Sequence, residues 1–155
     1  MEWLMELLSN QFLITGVSSW AIAQVLKTII YAAINREFKI ERLFGDGGMP
    51  SGHSATVTSV AAMSALVCGP GSFEFAIATV LAIIVCHDAM GVRLETGKQA
   101  AVLNEVMELL EALYKKDLPE AKLKEFVGHT PLQVAAGILI GISNALFMFF
   151  VVFAS

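Results

Sequence analysis

Three short stretches hold the residues whose types could do chemistry: GGMPSGHSAT at 47–56, HDAMGVRLETGKQA at 87–100 and GHTPLQVAAGILIG at 128–141. In the first, Pro50 ends any preceding helix and Gly52 frees the backbone. The amides of Ser51 to His53 can then turn toward an anion at the start of the next helix, with His53 beside it. The third places His129 just outside a helix that has Thr130 as its cap, Pro131 at its first position and Gln133 closing a T-x-x-Q box. The second offers Asp88 and Arg93, although a single charge at the end of an apolar segment is often only solvated. His87 reads as an interfacial or structural residue. Taken together, two histidines, an aspartate and nearby cations are parts for phosphoryl transfer. One histidine attacks phosphorus, the other protonates the leaving oxygen, and cations with backbone amides hold the remaining oxygens. The three histidines show no H-x-x-x-H spacing and no carboxylates cluster beside them, so a zinc or magnesium site fits poorly and no metal or cofactor is expected.

These residues must be positioned by helices in a bilayer. Of the 155 residues 56% are hydrophobic, more than a soluble domain of this size buries, and the length suits a single domain over 1–155. Uncharged runs extend from Leu7 to Leu26, Gly47 to Phe73 and Phe126 to Ser155, each long enough for the roughly 20 residues of a spanning helix. A fourth segment is strictly uncharged only from Phe75 to Cys86 and spans only with Glu74 and His87 at the interfaces. The expectation is an all-α, multi-pass transmembrane bundle of about four to five spans, with helices near 11–34, 51–69, 73–92 and 132–154 and residues 1–9 as an interfacial preamble. The acidic start MEWLMELL does not read as a secretory leader.

Parity puts the first loop (35–50) and the long polar segment (93–131) on one membrane face. Together they carry every lysine and arginine except Lys27, which predicts a cytoplasmic face. Within the polar segment, Val102, Val106, Leu109, Leu110 and Leu113 recur at helical spacing behind a T-x-x-Q pair at Thr96 and Gln99. This predicts an extra amphipathic helix, packed on the protein or on a second copy in a homo-oligomer rather than on anionic lipid, which its glutamates would repel. Cys68 and Cys86 are placed too far apart for a disulfide. The net charge of −4 argues against a nucleic-acid partner.

At these residues the chain resembles the phosphatidic acid phosphatase type 2 superfamily, and specifically its divergent branch of small membrane proteins related to acid phosphatase and vanadium-dependent haloperoxidase. The marks of that branch, GGMPS-x-HSA, DA-x-GVR and GHTPL, stand at Gly47–Ala55, Asp88–Arg93 and Gly128–Leu132. PSGH is literal at Pro50–His53, and Val134 and Gly137 follow His129 in step. The resemblance implies a helical membrane phosphatase with His129 as nucleophile and His53 as general acid, and with Lys27, Arg42 and Arg93 binding phosphate with the help of Ser51 and Gly52. It departs from the superfamily where an aspartate should orient the nucleophile: that position is Gln133, with Asp88 on the neighbouring span as the candidate substitute. The arginine that usually precedes the nucleophile is also missing, Leu123 lying near that point.

The function expected is therefore metal-independent hydrolysis of a lipid phosphate or pyrophosphate in a bacterial cytoplasmic membrane, with membrane lipid as the surrounding partner. The rival expectation is a phospholipid-binding or assembly protein that keeps the anion pocket without turnover. A transporter would call for paired broken helices or midplane charges, and the sequence offers neither.

Overall fold

The structure is a computed structural model that describes residues 2–38, 47–114, 123 and 128–154. Its described residues form helices without strands: α1 (Glu2–Leu8), α2 (Gln11–Asn35), α3 (Gly52–Cys68), α4 (Phe73–Met90), α5 (Val92–Tyr114) and α6 (Pro131–Phe147), the last running into a wider π-helical turn at Met148–Val152. The apolar helices have capped starts: Asn10 accepts from the amides of Phe12 and Leu13, Ser51 from Ser54, and Ser72 from Phe75. Thr130 and Gln133 complete the reciprocal box expected at α6. Helices α2, α4 and the α6 segment are long and apolar enough to span a membrane. The short apolar helix is α3, and α4, for which the uncharged run was marginal, is full length. At 1.5 Å per residue the 17 residues of α3 reach about 25 Å, slightly less than the hydrocarbon core. Helix α3 tolerates this because it is central, packed on α2, α4 and α6.

The bundle is held by small residues, as expected where lipid removes the hydrophobic drive between helices. Ala55, Ala61, Ser54, Ser59 and Ser64 are buried along α3, while Val17, Ile29, Val80, Ile83, Leu139 and Phe150 point outward to where lipid would lie. Gly137 and Gly141, one G-x-x-x-G step of α6, let its backbone touch α3. A Cβ on Gly137 would stand 2.5 Å from the carbonyl oxygen of Ser51, and one on Gly141 would collide with the Ala55 carbonyl and the Thr58 hydroxyl. Further along the same face of α6, buried Asn144 reaches α2, its Nδ2 lying 2.8 Å from Ser19 Oγ, 2.9 Å from Ser18 Oγ and 3.3 Å from the Thr15 carbonyl. Asn144→Ala removes these bonds, and thermal unfolding in detergent is expected to record a loss of about 1 kcal/mol.

One expectation needs correction, and another loses one of its two alternatives. Helix α5 does not begin at a Thr96–Gln99 box. It restarts at Val92 directly after Gly91, because backbone bonds carry across the break, Gly91 N to His87 O at 2.9 Å and Glu95 N to Gly91 O at 3.0 Å. With no fresh start to cap, Thr96 instead donates back to the Val92 carbonyl at 2.9 Å. The apolar stripe of α5 is also not packed on the bundle: Val102, Val106, Leu109 and Leu113 are exposed. The helix is tethered to the segment that follows it through Asn104, whose amide brackets the backbone N–H and carbonyl of Leu123 at 3.0 Å each. Both cysteines are free, Cys68 exposed and Cys86 buried.

Candidate functional site

The site is assembled by backbone bonds between the starts of helices. The amide of Ser51 donates to the carbonyl of Gln133 at 3.0 Å, and the amide of His129 donates to the carbonyl of Ala89 at 2.9 Å. The first joins α3 to α6, and the second joins the loop before α6 to the end of α4. Below them Ala89, Cys86 and Val134 form a buried cluster with Val57. Gly128 fixes the approach of the loop: its φ is +94°, and a Cβ there would overlap the backbone of Arg93 and Leu94. Only glycine meets both demands.

His129 is 3% exposed and its Nδ1 lies 3.2 Å from Gln133 Oε1. The same oxygen accepts from the amide of Thr130 at 3.1 Å. An amide N–H can only donate, so the atom facing it is the side-chain oxygen and Nδ1 carries the proton; in the neutral ring Nε2 then keeps its lone pair. Burial lowers the pKa of His129, the positive charge of Lys27 and the neighbouring His53 lower it further, and hydrogen bonds to Gln133 and to the backbone of Gly48 work against them. The ring of His53 faces that of His129 with centroids 6.2 Å apart and planes at 60°. His53 lies in the first turn of α3 and is exposed.

Lys27 reaches this place from α2. It is 6% exposed, and its aliphatic stem passes within 3.4 Å of where a Cβ on Gly48 would stand. Gly47 and Gly48 both have positive φ, +80° and +84°, so the loop can wrap the lysine at close range. The first turn of α3 supplies anion-seeking amides. The Ser54 amide is met by Ser51 Oγ and the Ala55 amide by the Ser51 carbonyl, which leaves those of Gly52 and His53 without a partner inside the helix. Ser51 itself is fully buried and holds the fold at this point, since its amide serves Gln133 and its hydroxyl oxygen accepts from Ser54.

The structure thus brings together Lys27, Gly48, Gly52, His53, His129 and Gln133. Asp88 is not found paired with His129: the aspartate pairs with Arg93 at 2.8 Å, both side chains being exposed. The position beside His129 Nδ1 is held by Gln133, four residues on, where a helical turn carries it back to the ring. Arg42 lies outside the described residues. Gln24, which the sequence reading passed over, is buried one turn before Lys27 and faces Gly52; its spacing from Lys27 was the signal available. From His53 a cleft of about 370 Å³, lined by Val17, Trp20, Thr56, Val57 and Val85, opens between α2, α3 and α4.

The chain has recognisable relatives among known proteins. The chain is 38% identical over 147 residues to the uncharacterized membrane protein YuiD of Bacillus subtilis (strain 168), covering 89% of this chain and 93% of the relative. No solved structure matches it. The model of the Divergent PAP2 family matches residues 8–144, a span that holds both histidines, Lys27 and every helix of the bundle up to Asn144, and the chain belongs to that family.

Proposed function

We propose that the protein is a membrane phosphatase that hydrolyses a lipid phosphate or pyrophosphate through a phosphohistidine on His129. The observation that carries this reading is the facing pair His53 and His129, set between a buried lysine and the amide-bearing start of α3. The neutral Nε2 of His129 attacks phosphorus, the P–O bond to the lipid breaks, and His53 gives its proton to the leaving oxygen. Lys27 and the amides of Gly52 and His53 hold the charged oxygens. In the second half His53 takes a proton from water, whose oxygen displaces His129 and releases phosphate. The apolar cleft that begins at His53 gives a hydrocarbon tail a path into the bilayer while the head group stays at the histidines. Arg93, beside the loop of His129, is the further cation that a diphosphate would reach by leaving Asp88.

The test is phosphate release by detergent-solubilised protein from a panel of lipid phosphates and pyrophosphates in the presence of chelator. Release that persists in chelator, is blocked by vanadate and is lost in His129→Ala supports the reading; release equal in wild type and variant sinks it. The rival reading, binding without turnover, draws on Gln133, an uncharged partner that cannot stabilise an imidazolium as a carboxylate does. Gln133→Glu separates the two, since it raises turnover in an enzyme and leaves a binding protein silent. The loaded face is proposed to be cytoplasmic from the lysines and arginines of its loops. Cys68, exposed at the last position of α3 at the opposite end of the bundle, is then labelled by a membrane-impermeant maleimide added outside intact cells; labelling only after permeabilisation reverses the assignment.

A further inference from the structure

Gln24 presents an unanswered oxygen beside the anion pocket. It is 7% exposed, and its Oε1 has no hydrogen-bond partner among the described residues. On α2 it stands one turn before Lys27 and on the same face. Its amide carbon lies 4.0 Å from where a Cβ on Gly52, the first residue of α3, would be, and Trp20 closes in at 3.4 Å from the same point. Burying a polar atom without a partner is unfavourable, and beside donors that face an open site it is the feature to explain. The surroundings define what it awaits. Lys27 and the amides of Gly52 and His53 are donors, suited to ionised oxygens. With its amide oriented as in this structure, Gln24 offers Oε1, which can only accept and repels an oxygen that has no hydrogen to give.

We propose that Gln24 Oε1 accepts a hydrogen bond from a protonated oxygen of the bound phosphate, so that the pocket selects phosphate groups retaining a P–OH over fully ionised tetrahedral anions. The inference rests on the phosphate reading of the pocket and adds to it a specificity-determining residue and the protonation form of the ligand. Sulfate serves as the probe, since it has the shape of phosphate but carries no proton at neutral pH, whereas orthophosphate always does. Calorimetric titration of the purified protein with each anion at pH 7 and constant ionic strength is expected to show a preference for phosphate of about tenfold or more. In Gln24→Met, an apolar side chain of matching length, the ratio falls to within about twofold, chiefly through weaker phosphate binding. The ligand-free Gln24→Met protein melts no lower than wild type, because the variant removes a buried unpartnered atom. Gln24→Glu, which still accepts, keeps or widens the preference and carries the test if the methionine variant does not fold. Equal binding of the two anions by wild type, or an undiminished preference in Gln24→Met, overturns the role of Gln24 while leaving the pocket intact. Binding of neither anion by wild type overturns the phosphate reading itself.

Discussion

His129→Ala is expected to lower phosphate release by on the order of a thousandfold or more, because it removes the proposed nucleophile rather than one of several binding groups. The fold should survive, since the backbone bond from residue 129 to Ala89 and the Thr130 cap of α6 do not need the ring. His53→Ala is expected to lose about 10²- to 10⁴-fold, the usual worth of a general acid. The two variants carry different signatures. A substrate whose leaving group needs no protonation, such as a nitrophenyl phosphate, should recover much of the rate in His53→Ala and almost none in His129→Ala. The pH profile of kcat/KM tests the same assignment. As the proposed nucleophile His129 would attack only when neutral, and its pKa is lowered by burial, Lys27 and His53, so the acidic limb belongs below the ordinary histidine range. Gln133→Glu places a negative charge against Nδ1 and moves that limb upward.

Gly141→Leu is the second large effect, and it acts on the fold. The α3–α6 contact is made backbone to backbone, and a side chain on residue 141 meets the carbonyl of Ala55, which cannot rotate away. The cost is expected to be about 3 kcal/mol or more, seen as loss of a monodisperse species in detergent or a large fall in melting temperature. Gly137→Ala adds a smaller side chain, but its Cβ presses on the Ser51 carbonyl at 2.5 Å. It separates the start of α3 from Gln133, and phosphate release should fall more than stability does. Gly71→Ala provides the control, since nothing lies within 4 Å of the added methyl, and its effect should stay within about 0.5 kcal/mol.

Much of this architecture was legible in the sequence because the signals are local. Uncharged runs and their breaks located the spans to within a few residues, and T-P-L-Q announced the cap of α6 from hydrogen-bonding chemistry alone. The same kind of signal misled at Thr96 and Gln99, where a cap pattern sat inside a helix already running from Val92. Whether a cap is needed depends on what the preceding backbone does, and Gly91 let the chain continue. The stripe on α5 revealed a helix but not a partner, since periodicity names a face and not what covers it.

The site was legible in its residues and less so in their relations. His53 and His129 were picked out from separate loops, yet only the crossing of α3 and α6 at Gly137 and Gly141 brings the rings together. Gln133 stood out as a missing aspartate, and the structure makes it the partner of His129 through the same oxygen that closes the capping box. Asp88 and Arg93 read as two site charges and are found bonded to one another. Gln24 was invisible as one polar residue in an apolar run. Its meaning comes from what faces it across the start of α3.

The claim that His129 is a nucleophile is tested most directly by trapping the enzyme mid-turnover. Protein mixed with lipid phosphate is quenched in alkali, where a phosphoryl group on a histidine nitrogen survives, and the modified peptide is identified by mass spectrometry. A phosphoryl group on the peptide containing His129 in wild type, and none in His129→Ala, is the expected result. Turnover with no phosphorylated histidine, or with the phosphoryl group on another residue, would contradict it.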